Sequence, residues 1–366
     1  MRAPALYPRL ARRLALLALL PVFAAPMLVA GCDSGGESEV VGGVDLADLF
    51  ARPTEAEKTA VLADWAARDV SPREVREVAT LTVSGTGLLG TTRTYRATVV
   101  EHSVAGVTHV GAVLVPTNVA AGTRLPIAVY AHGGDRGTSV EEGARIAGIL
   151  TPDGQNFVWV VPSFRAEALR FGSQTRTSGG PASPWDYDVD DALALVNIAA
   201  ASYGGDATRV GAVGFSRGGD VALLMAIRDR RISRVLDMFG PTDFYAAYVR
   251  DITRDALGGG TRSLPGFDVL NARFIQPLKA GTVTVAQMRA ELLRRSPAQF
   301  PDRLPAVQVQ HGTADDVVDV SQARRLIEVM KGRPNFTSFL WDGGRHDPTT
   351  FPINWISEAQ AVLSGL

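Results

Sequence analysis

The sequence predicts an α/β fold: a mainly parallel central sheet with antiparallel strands at its N-terminal edge, helices on both faces and a small helical cap insertion. Three observations predict it. From Leu125 onward, short apolar segments alternate with helical ones, the rhythm of parallel strands joined by crossover helices. Ahead of them, Ala79 to Val115 alternates with the two-residue period of strands that have one solvated face. The third is Val210-Gly211-Ala212-Val213-Gly214-Phe215-Ser216-Arg217-Gly218-Gly219, in which a buried strand runs into a glycine-flanked serine and at once into the helix formers Val221 to Leu224.

Composition allows one large α/β domain or two smaller ones. The chain has 366 residues, 46% hydrophobic and 20% charged, enough for a sizeable core. Its 37 basic and 38 acidic residues nearly cancel, and no basic run follows the N-terminus, so nothing points to nucleic acid. The one cysteine, Cys32, excludes an internal disulfide or a thiolate metal cluster from the folded part.

Residues 1–31 read as a targeting segment. Arg2, Arg9, Arg12 and Arg13 precede the apolar run Leu14 to Leu20, and Pro21 and Pro26 interrupt what would be a short membrane span. The segment ends in Leu28-Val29-Ala30-Gly31-Cys32, which resembles a bacterial lipobox; the resemblance implies cleavage before Cys32 and its lipidation, with two or three acyl chains as a stable anchor. Residues 32–44, rich in Gly and Ser, then form a flexible tether, and residues 45–366 form the folded domain. Within it, 45–78 reads as an N-terminal helical extension, with Asp45, Asp48 and Thr54 as helix starts and Trp65 as a packing anchor.

The strands and helices follow in order. Thr94 to Val100 and Val110 to Val115 are antiparallel edge strands; His102 and His109 in this region read as surface or strand-packing residues. Ile127 to Ala131 leads into His132-Gly133-Gly134-Asp135, and Phe157 to Val161 into Pro162-Ser163-Phe164-Arg165. A helix spans Asp188 to Tyr203, a strand Val210 to Val213, a helix Asp220 to Asp229, and later strands Ile232 to Phe239 and Ala306 to Gln310. Residues 245–295 form the cap insertion, helical at both ends around a loop near Gly258 to Gly266. Phe336 to Leu340 and a terminal helix Trp355 to Leu363 complete the fold, and loops at the carboxyl ends of the parallel strands should carry the site.

The chemistry centres on Ser216. A serine alcohol is a poor nucleophile and needs a base within hydrogen-bond reach and an acid holding that base. In the chain order Ser, acid, His, only His311 and His346 follow Ser216. His346, in a loop ahead of the terminal helix, is the expected base, with Asp315 orienting it; Asp316 and Asp243 are the competing acids.

Together, His132-Gly133-Gly134-Asp135, Gly214-Phe215-Ser216-Arg217-Gly218-Gly219, Ser296-Pro297 ahead of His311-Gly312-Thr313-Ala314-Asp315-Asp316-Val317-Val318, and Arg345-His346-Asp347 resemble the catalytic domain of the prolyl oligopeptidase family within the α/β-hydrolase superfamily, over roughly residues 90–366. The resemblance implies an α/β-hydrolase fold, Asp315 as the triad acid, His311 as a loop-structuring residue, and an oxyanion hole from Gly133, Gly134 and the Arg217 amide. Two departures stand out: Arg217 and Asp220 where the family often has tyrosines at the elbow, and no N-terminal propeller. Trp185, Tyr187, Phe244 and Tyr245 are candidate apolar walls, and Arg165, with Arg217, a candidate for a substrate carboxylate.

The expectation is therefore a lipid-anchored, exported serine hydrolase of the bacterial cell envelope, acting on amide or ester bonds of small molecules or short peptides, with no metal or organic cofactor. A carboxylesterase, including one for acetylated carbohydrate, is the alternative within enzymes, and a noncatalytic surface-binding lipoprotein the alternative outside them. Substrate identity, membrane leaflet and oligomeric state stay open.

Overall fold

The computed structural model describes residues 39–87, 90–262 and 264–366. Nine strands form the main sheet: β1 (Arg73–Thr86), β2 (Thr92–Val104), β3 (Val107–Pro116), β4 (Leu125–Ala131), β5 (Val158–Pro162), β6 (Gly205–Phe215), β7 (Ile232–Met238), β8 (Ala306–Gly312) and β9 (Phe336–Trp341). Their spatial order is β9-β8-β7-β6-β4-β5-β3-β2-β1. The six strands β4 to β9 run parallel, and β1 to β3 form an antiparallel meander that joins them through the antiparallel pair β3 and β5. This is the α/β-hydrolase fold.

Burial follows from this order. Every residue of β4 and β5 is buried, as strands covered on both faces require. Successive side chains alternate between two cores: Ile127, Val129 and Ala131 enter one, Ala128 and Tyr130 the other. Helices Tyr187–Ser202 and Arg217–Arg228 contribute to the first core, and helices Val140–Leu150 and Trp355–Leu363 to the second. Each buried Val, Leu or Ile contributes roughly 1.5–3 kcal/mol relative to exposure.

The N-terminal region departs from expectation in two places. A helix does form at Glu55–Ala67, with Thr54 closing a capping box on Glu57, and Trp65 packs on Phe300 with ring centroids 5.4 Å apart. Helix does not persist to residue 78, however. It ends at Ala67, Pro72 disfavours its resumption, and β1 begins at Arg73 to pair with β2. The expected tether is likewise shorter: Val40–Val41 pairs with Val44–Asp45, and Glu39 ion-pairs with Arg250 and Arg254. Cys32, the leader before it and the rest of the tether lie outside the described residues.

Residues 245–295 hold helices Ala247–Gly258 and Val285–Leu293, with an unanticipated helical stretch from Phe267 to Lys279 between them. Arg289 joins this insertion to the N-terminal helices: it ion-pairs with Glu57 and donates to the carbonyls of Asp48, Leu49 and Ala51. Among the described residues, no helix is long and apolar enough to cross a membrane.

Candidate active site

Ser216 sits in the turn between β6 and the helix Arg217–Arg228, at φ 54° and ψ −123°. Only a tight surround maintains a serine in that conformation. The flanking glycines supply it. A Cβ on Gly214 would lie 1.8 Å from the Gly218 carbonyl oxygen, and one on Gly218 would lie 2.0 Å from that of Ala131. Strand and helix can pass this closely only without side chains there. The Ser216 amide donates to the Met238 carbonyl at 2.8 Å, tying the turn to the end of β7.

The other two groups come from neighbouring strand ends. Asp315 lies just beyond β8, and His346 in the loop after β9. The two loops interlock: Thr313 N–H donates to Trp341 O and Ala314 N–H to Gly344 O, each at 2.9 Å. Gly312 packs against the Gly344 carbonyl, where a Cβ would come within 2.2 Å. Parallel strands in register thus deliver three residues distant in sequence to one edge.

His346 Nε2 lies 2.9 Å from Ser216 Oγ, and Nδ1 lies 2.8 Å from Asp315 Oδ2. Asp315 Oδ1 accepts the amides of Val317 and Val318, both at 2.9 Å. His311 Nε2 is 3.3 Å from Asp315 Oδ2 and 2.9 Å from Val318 O, so it braces this loop. Burial alone would raise the Asp315 carboxyl, but hydrogen bonds from His311, His346 and the Val317 amide hold it well below the usual carboxylate range. An ionised Asp315 places the imidazole proton on Nδ1 and turns the Nε2 lone pair toward the Ser216 hydroxyl.

The competing acids point elsewhere. Asp316 is exposed and ion-pairs with Arg345 at 2.6 Å. Asp243 is buried beside Arg325 at 2.9 Å and Gln299 at 2.7 Å. Neither contacts His346.

Gly133 and Gly134 line the same cavity as Ser216 and His346. A Cβ on Gly133 would lie 3.2 Å from Ser216 Cβ, so this loop runs directly beside the hydroxyl. Arg217 opens the helix, with its amide among the unpaired donors of that terminus. Loop amides and a helix N-terminus beside a serine can hold negative charge.

The predicted substrate-binding side chains are not in this cavity. Trp185 and Phe244 are fully buried and pack edge to face, with ring centroids 5.0 Å apart. Tyr187 is held between the guanidinium groups of Arg68 and Arg165, each 4.2 Å from the ring centroid. Arg165 donates to Asp191 at 3.1 Å and is buried, so it meets an internal carboxylate and not a ligand. Tyr245 donates its hydroxyl to the Arg289 carbonyl at 2.7 Å. None of the five lines that cavity: Arg165 and Tyr187 pack at the start of the Tyr187–Ser202 helix, Trp185 packs on Phe244, and Tyr245 bonds to the insertion.

That cavity measures about 500 Å³ and is walled by Tyr130, Ile146, Phe215, Phe239, Pro265 and Val317. Phe239 also packs on His346, 4.6 Å between ring centroids. Phe215 and Phe239 sit at or just beyond the carboxyl ends of β6 and β7. That position was a signal available in the sequence. Pro265, on the insertion, had none.

Residues 113–330 match the BD-FAE family, an α/β-hydrolase type of domain. No curated protein matches the chain. Among solved structures, acetyl xylan esterase 1 from Thermoanaerobacterium sp. JW/SL YS485 aligns at 15% identity and TM-score 0.56, over 87% of this chain and 98% of its own. A puromycin-hydrolyzing peptidase of Mycobacterium tuberculosis aligns at 16% identity and TM-score 0.52, over 75% of this chain and 45% of its own. Acylaminoacyl peptidase of Pyrococcus horikoshii aligns at 11% identity and TM-score 0.51, over 78% and 47%. The chain thus spans nearly all of the esterase but under half of either peptidase.

Proposed function

The chain belongs to the BD-FAE family and is a serine hydrolase, and from that premise we propose that it cleaves ester bonds of small substrates through an acyl-enzyme on Ser216. One observation carries the proposal: the unbroken hydrogen-bonded series from Ser216 Oγ through His346 to Asp315. In this reading Ser216 Oγ attacks the carbonyl carbon while His346 Nε2 takes its proton. Asp315 stabilises the resulting imidazolium, and the amides of Arg217 and of Gly133 or Gly134 receive the oxyanion. His346 then returns the proton to the leaving alcohol. Water enters and attacks the acyl carbon as His346 takes its proton; the second tetrahedral intermediate then collapses with cleavage of the bond to Ser216 Oγ, which receives that proton from His346 as the acid leaves.

Two observations favour an ester over an amide. The chain spans nearly the whole of an esterase of the same fold, and the walls beside Ser216 are mainly apolar and suit the hydrocarbon of a short acyl group. Amide cleavage is the second reading, supported by the four motifs in prolyl oligopeptidase order. Turnover of p-nitrophenyl esters alongside a varied panel of peptidyl p-nitroanilides separates the two. Ester turnover without amide cleavage supports the first reading, and efficient amide cleavage with negligible ester turnover overturns it.

The basic-then-apolar leader ending at Cys32 supports export and lipid anchoring in a bacterial envelope. Under this proposal Cys32→Ser moves the protein from the membrane to the soluble fraction. Unchanged fractionation counts against it.

A further inference from the structure

Arg217 does more than follow the serine. Its side chain turns back into the protein, only 2% exposed, and meets three groups. Nε donates to Asp188 Oδ2 at 2.8 Å, and Nη1 donates both to the Gly134 carbonyl at 3.1 Å and to Glu167. Glu167 in turn accepts the Gly137 amide at 3.0 Å through its other oxygen. His132, at the start of the same loop, stacks on Phe164 at 4.3 Å, and the Arg217 guanidinium lies 4.9 Å over the opposite partner in that stack, the Phe164 ring.

Residues 132–138 are therefore held at several points by one buried network. The backbone adds to this: Gly134 and Gly137 both have φ of 71°, and a Cβ on Gly137 would come within 1.9 Å of the Ala168 carbonyl oxygen. The loop has no room to drift on that side. Gly133 and Gly134, which line the cavity with Ser216, are held at their carbonyls, Gly133 by His132 Nδ1 at 3.0 Å and Gly134 by the arginine.

We propose that the Arg217 guanidinium and the Glu167 carboxylate are positioning residues for the oxyanion hole, so that the residue giving one donor through its backbone fixes the other donor through its side chain. This rests on Ser216 acting as the nucleophile. The physical case is one of cost. A buried guanidinium with two carboxylates gains little over a well-packed apolar cluster of the same volume. What an apolar cluster cannot provide is a directed bond to the Gly134 carbonyl and, through Glu167, to the Gly137 amide. An oxyanion donor displaced by a fraction of an ångström loses much of its effect, because it acts only on charge that develops in the transition state.

The test uses the full protein with Arg217→Met, which keeps the stem and removes the fork, and Glu167→Gln, which keeps the shape and removes the charge. Steady-state ester kinetics are read together with inhibition by a trifluoromethyl ketone matched to the best ester, whose hemiketal oxyanion occupies the hole. Arg217→Met should lower kcat about 10²-fold, the cost of losing one oxyanion donor, with KM within about threefold. Affinity for the ketone should fall in parallel with kcat/KM. Glu167→Gln should lower both about tenfold, and Arg217→Lys should recover part of the loss. Should Arg217→Met fail to fold, Glu167→Gln alone decides. Folded variants with wild-type kcat and ketone affinity, or with a raised KM and unchanged kcat, overturn the proposal. Ser216→Ala runs beside them: if it retains activity, the nucleophile reading has failed, whereas an inactive Ser216→Ala with unaffected network variants sinks only the positioning role.

Discussion

At Asp315 the two carboxylate oxygens have separate partners, Oδ1 the amides of Val317 and Val318 and Oδ2 the imidazoles of His346 and His311. Asparagine at this position keeps the size but offers an N–H₂ where His346 needs an acceptor, which favours the wrong tautomer. Asp315→Asn is therefore expected to lower kcat about 10⁴-fold, while Asp316→Asn, at an exposed pair with Arg345, stays within about twofold in the same assay. Near the site, burial pushes the Asp237 carboxyl up to about 7, against the opposing influence of His311 and the Gly240 amide. The sign follows from linkage. Below about 4 the carboxyl is protonated whether folded or unfolded; between about 4 and 7 only the unfolded chain ionises, so stability falls as pH rises. Asp237→Asn keeps an acceptor for the Gly240 amide, which Oδ1 now receives at 2.9 Å. Chemical denaturation should find this variant more stable than wild type at pH 8, by on the order of 4 kcal/mol, with the difference vanishing below pH 4. That Ser216 and His346 come together was legible from residue type and chain order. Arg165, Trp185, Tyr187, Phe244 and Tyr245 were misassigned because nearness along the chain to a motif does not say on which side of a strand end a side chain emerges.

At the scale of elements, the turn at Ser216 is set by what its neighbours lack. Gly218 abuts the Ala131 backbone, and backbone within a buried parallel sheet has little room to retreat. Gly218→Ala is expected to destabilise the protein by at least about 3 kcal/mol in urea unfolding, and to lower the yield of soluble protein. A destabilisation under about 1 kcal/mol would mean that the turn relaxes more easily than the contact distance implies. The strands and helices around this turn were readable because apolar runs and glycine breaks mark them. The stretch Arg73 to Val78 was read as helix: β1 there is largely exposed, so it lacks the apolar alternation that identifies a half-buried strand. The helical stretch from Phe267 to Lys279 was missed for a related reason. It is built from two short helices joined by a wider π turn, which dilutes any regular period.

For the whole molecule, sheet order explains why residues 216, 315 and 346 meet. The strands β6, β7, β8 and β9 lie side by side and parallel, so a loop after β6, one after β8 and one after β9 all open on the same edge. No pairwise spacing in the sequence encodes that edge; the alternation of strands and crossover helices does. Substrate class lies beyond this logic, because the walls come partly from the insertion, where Pro265 reaches the cavity. Under the ester reading, replacing Phe239, which packs on His346, with Ala should enlarge the acyl side of the cavity. The optimum chain length in a series of p-nitrophenyl esters is expected to shift to longer acyl groups, with a several-fold loss in kcat; an unchanged optimum would place the acyl group on another side of Ser216.

The proposed relay is tested most directly by locating a covalent adduct. Wild-type protein treated with a fluorophosphonate and analysed by peptide mass spectrometry should carry the phosphonyl group on Ser216, with one equivalent per chain. His346→Ala should slow that labelling by about 10³-fold or more at unchanged fold, and Ser216→Ala should abolish it. Stoichiometric labelling of another residue in wild type, or labelling of Ser216 at full rate without His346, would contradict the account.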